Sequence, residues 1–184
     1  MKTTQNCRPA LLSSLFAAAL LLANVAGAQC DLYPIALSAQ SLTNVTAGME
    51  VTNIMNGIQP GNFGWLTWAG SPSEPTLVDS LKGAGNSFNY VNPFDDRDRQ
   101  INAGDWIEGK TGVTNSKEVR DALDALKKVA IKVPVWDAAI GDGKNSLYRV
   151  VGFAQVQITS YELAGQTRIS VLFLGYTSCG QASN

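Results

Sequence analysis

The chain has 184 residues, with 14 basic and 15 acidic side chains, a formal net charge of −1 and no histidine. This balance, without any basic stripe, removes the electrostatic attraction on which nucleic-acid binding depends. The lack of histidine excludes Ser-His and Cys-His activation of a nucleophile, and it removes the commonest zinc ligand. Ser-Lys and two-carboxylate chemistry remain open, but no motif for either is found.

Residues 1–28 have the pattern of a cleaved secretory signal peptide. Lys2 and Arg8 precede a short apolar run that ends in Ala-Gly-Ala, which is the order of a positive start, an apolar centre and a small-residue cleavage site. A membrane anchor is the alternative, although the run is short and interrupted by polar residues. A lipoprotein would use Cys30, but Gln29 stands where a small residue is expected. We therefore expect residues 29–184 to form a single extracytoplasmic domain, exported to the periplasm, the cell surface or the medium.

Two cysteines remain after this cleavage, Cys30 and Cys179. In an oxidising compartment an isolated pair usually forms a disulfide. The alternative, two reactive thiols, needs a CxxC motif or a catalytic partner, and the sequence offers neither. We predict a structural disulfide between the two ends of the mature chain.

The first third of the mature chain reads as strands. Residues 34–42 and 48–57 alternate between apolar and polar side chains in part, and Met49, Val51 and Met55 are predicted to share one face. In "QPGNFGWLTWAG" (residues 59–70) a strand places Phe63 and Trp65 on one side and Leu66 and Trp68 on the other. The two tryptophans cannot form one flat sugar-stacking platform, so at least one is expected in the core.

Two helices are predicted further along the chain. A short one spans about residues 74–82, between a Ser73 cap and Gly83. The main amphipathic helix spans about residues 115–130, with Asn115 as its cap. Its apolar stripe consists of Val119, Ala122, Leu123, Leu126 and Ala130.

A turn-rich segment, residues 83–100, separates the helices and is expected to be an exposed loop or hairpin. Its carboxylates Asp95, Asp96 and Asp98 could hold calcium. The spacing is not that of an EF-hand loop, and arginines interleave with the acids. A solvated turn without metal is the favoured interpretation.

The last third reads as a long antiparallel hairpin. Residues 146–163 place Val150, Ala154, Val156 and Ile158 on one face, and Gly152 marks a bulge or a close backbone approach. The chain then turns back through residues 167–176. Together these elements predict an α+β fold with a mostly antiparallel sheet, sandwich-like or barrel-like, on which the main helix packs.

Five segments in order resemble one family. They are "PGNFGWL" (60–66), "GDWIEGKTG" (104–112), "RDALDAL" (120–126), "VPVWD" (133–137) and "VVGFAQVQITSY" (150–161). The set resembles the C-terminal region of the TadG-like proteins of Tad/Flp pilus assembly, and a related module of large bacterial surface proteins. The resemblance implies a non-catalytic extracytoplasmic module and provides no active-site residues. The pilus proteins retain an N-terminal membrane helix, whereas this start looks cleavable.

Three functions follow from these patterns. The leading expectation is a structural or interaction module in adhesion or pilus-like assembly, with other surface proteins or an extracellular polymer as partner and no cofactor. The second is a soluble carbohydrate- or ligand-binding protein that uses Trp68, Trp106 or Trp136. The third is an exported hydrolase with a pair of carboxyl groups.

Overall fold

A computed structural model describes residues 30–68, 73–83, 85–110, 115–142 and 145–179. The strands are β1 (Ile35–Ser38), β2 (Glu50–Met55), β3 (Phe63–Thr67), β4 (Trp106–Lys110), β5 (Ile131–Ile140), β6 (Leu147–Glu162) and β7 (Arg168–Thr177), and the helices are α1 (Glu74–Ser80) and α2 (Lys117–Leu126). The predicted signal peptide, residues 1–28, lies outside the described residues. Within the described residues, no helix is both long and apolar enough to cross a membrane.

Five strands pair in a closed ring. β1 pairs with β3, β3 with β4, β4 with β6, β6 with β5, and β5 returns to β1. The β1–β5 pair is parallel and the other four are antiparallel. The predicted α+β fold with a mostly antiparallel, barrel-like sheet is confirmed.

β6 extends well beyond the ring. Its first residues lie between β4 and β5. Its second half forms the predicted hairpin with β7, and β2 pairs with the other side of β7 as an edge strand. A bulge stands beside Gly152, because Val135 pairs with Gly152 whereas Trp136 pairs with Val150. An extra residue reverses the alternation of side chains. Val150 therefore points to the opposite side from Ala154, which corrects the shared face that strict alternation predicts.

The two sides of the strands carry separate cores. The inner core lies within the ring and includes Leu66, Trp68, Ile107, Trp136, Tyr148 and Val150. The outer core lies beneath the helices and includes Phe63, Trp65, Leu77, Leu123, Val133, Val156 and Val171. Phe63 with Trp65, and Leu66 with Trp68, thus occupy opposite faces, as alternation along β3 predicts.

A serine caps the N-terminus of each helix. Ser73 Oγ accepts a hydrogen bond from the backbone N–H of Thr76, as expected for α1. Ser116 Oγ accepts one from Val119 N–H and caps α2. The predicted cap, Asn115, instead accepts hydrogen bonds from the guanidinium group of Arg120, through both its backbone oxygen and Oδ1. The helix is shorter than predicted and ends before Ala130, which is exposed.

The buried face of β2 carries different side chains from those predicted. Ile54 is the buried side chain of this strand, whereas Met49 is half-exposed. The register shifts between Val51 and Ile54, where Asn53 adopts a positive φ of 55°. That left-handed residue breaks the period-two pattern on which the predicted face of Met49, Val51 and Met55 depended.

The predicted disulfide is present in the structure. Cys30 and Cys179 are bonded, with their Cα atoms 5.3 Å apart. Both cysteines pack against the inner core. The bond therefore joins the segment before β1 to the segment after β7 at one end of the ring.

Candidate functional site

Three of the four tryptophans are core residues. Trp65, Trp68 and Trp136 are 1%, 3% and 1% exposed, so no ring face of theirs is open to a ligand. Trp68 Nε1 donates to the carbonyl oxygen of Gly85 at 2.6 Å. Trp136 packs edge-on against Tyr148, with ring centroids 5.2 Å apart. Of the three predicted ligand contacts, Trp68 and Trp136 are thus placed where a sugar cannot reach them.

Trp106 is placed differently. It is the first residue of β4 and lies directly opposite Arg149 of β6. The next residue of β4, Ile107, and the residue before Arg149, Tyr148, both point into the inner core. Trp106 therefore points out of the ring, and it belongs to neither core. Phe94, which is 66% exposed, contacts it edge to face at a centroid distance of 6.2 Å. The pair is an aromatic surface outside both cores.

An ion pair lies beside this aromatic pair. Arg149 Nε and Nη2 donate to the two carboxylate oxygens of Asp137, each at 2.9 Å. These hydrogen bonds lower the pKa of Asp137 and raise that of Arg149. The pair lies next to Trp106, since Arg149 is the strand partner of Trp106. The sequence did not single out this pair, since a bulge between Trp136 and Ala138 is needed to bring Asp137 to Arg149.

We call this region the outer wall. It consists of Phe94, Trp106, Ile140, Leu147, Arg149 and Val151. Phe94, Ile140 and Val151 are among the most exposed large apolar side chains of the described residues. The outer wall continues the side of the sheet that the helices cover elsewhere. Further along β4, Lys110 is buried; burial lowers its pKa, while Glu74 of α1 acts in the opposite direction.

A buried tyrosine anchors the turn segment that carries Phe94. Tyr90 is 0% exposed, and its hydroxyl donates to the backbone oxygen of Trp106 at 2.9 Å. Asn92 Nδ2 donates to carboxylate oxygens of both Asp98 and Asp105. The predicted exposed loop or hairpin over residues 83–100 needs a correction, because Tyr90 of this segment is a core side chain and fixes the base of the aromatic pair.

The carboxylates of this segment form turns. Asp95 Oδ1 accepts from the N–H of Arg97, and Asp98 Oδ1 accepts from the N–H of Gln100. Asp96 is exposed. In the part of the chain that the structure describes, no group of three or more His, Cys, Asp or Glu side chains is arranged to hold a metal ion. Burial raises the pKa of Asp105, and the nearby Asp98 acts in the same direction.

A second, smaller feature lies at the far end of the hairpin. A polar depression of about 100 Å³ is lined by the ends of β6 and β7 and by Asn53. The Glu162–Arg168 ion pair and Ser170 contribute polar atoms to its wall. This volume suits a few water molecules rather than a drug-sized ligand, whose pockets are several times larger. The outer wall is therefore the stronger candidate site.

Comparison with family models, with curated proteins and with solved structures found no match to this chain. The site has to be interpreted from its own residues. Its apolar rings and paired charges are suited to recognising a surface.

Proposed function

We propose that this chain is an exported, non-catalytic interaction module of the bacterial cell surface, in adhesion or in an assembly of the pilus type. The observation that supports it is the outer wall, where aromatic and apolar side chains stay exposed on a sheet whose neighbouring parts are covered. Contiguous exposed apolar groups rimmed by polar ones are typical of contact surfaces. The disulfide is compatible with an oxidising compartment, and the resemblance to TadG-like proteins suggests the same setting.

The composition of the outer wall supports a macromolecular contact. Trp106 and Arg149 are adjacent on neighbouring strands, and tryptophan and arginine are enriched among the residues that dominate binding energy. Phe94, Ile140 and Val151 provide apolar area around them. The ring of strands is a rigid support, so little ordering free energy is lost when a partner binds.

In vivo photo-crosslinking tests this proposal. A photoreactive amino acid at position 151 is expected to give a discrete crosslinked adduct in the native host, since Val151 is part of the outer wall. The matched control is the same substitution at position 49, because Met49 is equally exposed but lies beside the β2 edge. Sequencing the purified adduct also reports the N-terminus, which we expect at Gln29. The absence of an adduct from position 151 would overturn the proposal, whether or not position 49 gives one.

A carbohydrate is the second candidate partner, and the bidentate Arg149–Asp137 pair beside Trp106 is the observation that favours it. A sugar could stack on the indole while its hydroxyls bind the planar ion pair. Retardation in gels cast with dextran or laminarin, abolished by Trp106→Ala, would support this candidate. Unchanged mobility in both gels would exclude dextran and laminarin as ligands.

A further inference from the structure

We propose that the outer wall of one copy of this chain binds the turn after α2 of a second copy, so that copies associate head to tail. The inference rests on the proposed function and names the partner of that surface. We call residues 127–129 the basic turn. It contains Lys127, Lys128 and Val129, which is 48% exposed.

The charge around the outer wall selects a basic partner. Residues 95–108, which flank Trp106, contain five carboxylates and two guanidinium groups. Arg149 does not offset this excess, since both oxygens of Asp137 are bound to it. An anionic polymer would be repelled here, whereas a surface with ammonium groups would be attracted.

The basic turn combines both properties that the outer wall requires. Lys127 has its Nζ 3.6 Å from Asp124, which offsets part of its charge, and 5.7 Å from the ring centre of Tyr161. Lys128 is exposed beside it. Val129 adds an exposed apolar group that can be desolvated against the rings of Phe94 and Trp106. The outer wall and the basic turn therefore both carry exposed apolar area, and their charges are opposite.

The two surfaces lie at opposite ends of the same strands. The basic turn leads into Ile131, which pairs with Val156, whereas Arg149 of the outer wall pairs with Ala138. Seven residues of β6 separate the two levels, or about 23 Å at ~3.3 Å per residue. One copy cannot join its own surfaces across that distance. A contact between two different surfaces leaves one of each free, so the association can continue into a chain of copies.

Sedimentation velocity of the purified mature protein tests the inference. We expect concentration-dependent association that weakens as salt rises, because exposed charges are screened. Lys127→Glu with Lys128→Glu should weaken it at least tenfold, and so should Asp96→Lys with Glu108→Lys. A mixture of these two double variants should associate again, since each keeps the surface that the other has lost.

Two further variants complete the experiment. Lys82→Glu with Lys117→Glu makes the same charge change away from both surfaces and should leave association unchanged. Trp106→Ala should weaken it at least tenfold, because the indole is part of the outer wall, and unchanged association would contradict the proposed contact. A monomer at all concentrations, or variants that fail to restore association when mixed, would overturn head-to-tail binding.

The crosslinking described above separates this inference from the proposed function. An adduct with the mass of two copies agrees with head-to-tail binding. An adduct with a different protein retains the interaction module but overturns self-association. No adduct overturns both.

Discussion

At the scale of single residues, Tyr148 occupies space that two glycines leave inside the ring. A Cβ atom on Gly64 would collide with the Tyr148 ring, and one on Gly109 would stand 2.8 Å from its Cε2 atom. We expect Gly64→Ala to destabilise the protein by about 1–3 kcal/mol, because the packed ring cannot retreat. Urea unfolding measures the change. In the Tyr148→Leu background the same substitution should cost clearly less, and equal costs in both backgrounds would contradict this packing.

Tyr148 also predicts an alkaline loss of stability. Burial raises the pKa of Tyr148 to about 12 from the ordinary tyrosine value of 10.0. The folded state therefore holds the proton more tightly than the unfolded state. The resulting stabilisation is complete below pH 10 and is lost as the pH rises towards 12. Between pH 9 and pH 11.5 the wild type should lose about 1–2 kcal/mol more than Tyr148→Phe in urea unfolding. A loss of equal size in both proteins would contradict the raised pKa.

At the scale of elements, two adjacent residues at the N-terminus of α2, Asn115 and Ser116, are expected to differ in how much they stabilise the helix. Ser116→Ala should cost about 1 kcal/mol, since it removes the acceptor of the Val119 N–H. Asn115→Ala is the control and should cost less, because the Asn115 side chain accepts a hydrogen bond from the Arg120 side chain and not from a backbone N–H of the first turn in the described residues. Thermal unfolding of the two variants shows which substitution costs more stability. A larger loss of stability for Asn115→Ala would support Asn115 as the helix cap, as predicted from the sequence, and contradict Ser116.

The sequence predicts those elements whose patterns are local. The hairpin of β6 and β7, the short helix with its Ser73 cap, and the apolar stripe of α2 follow from alternation, capping residues and periodicity. The closed ring does not, because β1 meets β5 through residues about a hundred positions apart. The sequence analysis singled out Trp106 but missed the ion pair beside it, for a related reason. Arg149 and Asp137 are brought together by strand pairing and a bulge that alternation alone does not reveal.

At the scale of the whole molecule, the disulfide closes nearly all of the described chain. Cys30 and Cys179 are 149 positions apart in the sequence. The chain-entropy model assigns about 5 kcal/mol to a loop of that length, as an upper value. The double variant Cys30→Ser, Cys179→Ser should therefore melt well below the wild type. In strong reductant the wild type should approach the variant. Two free thiols in unfolded, unreduced protein from the native host would contradict the bond.

The same bond decides how the molecule would carry a mechanical load. A tension that enters the chain before Cys30 and leaves it after Cys179 passes through Cα atoms 5.3 Å apart. The strands between them then bear no force, whatever their hydrogen-bond strength. Cleavage of the bond under load would expose the enclosed chain, whose extended length is about 500 Å at ~3.4 Å per residue. In a single-molecule pulling experiment the oxidised protein should act as a short inextensible link, which lengthens by that amount once reductant is added and the strands separate.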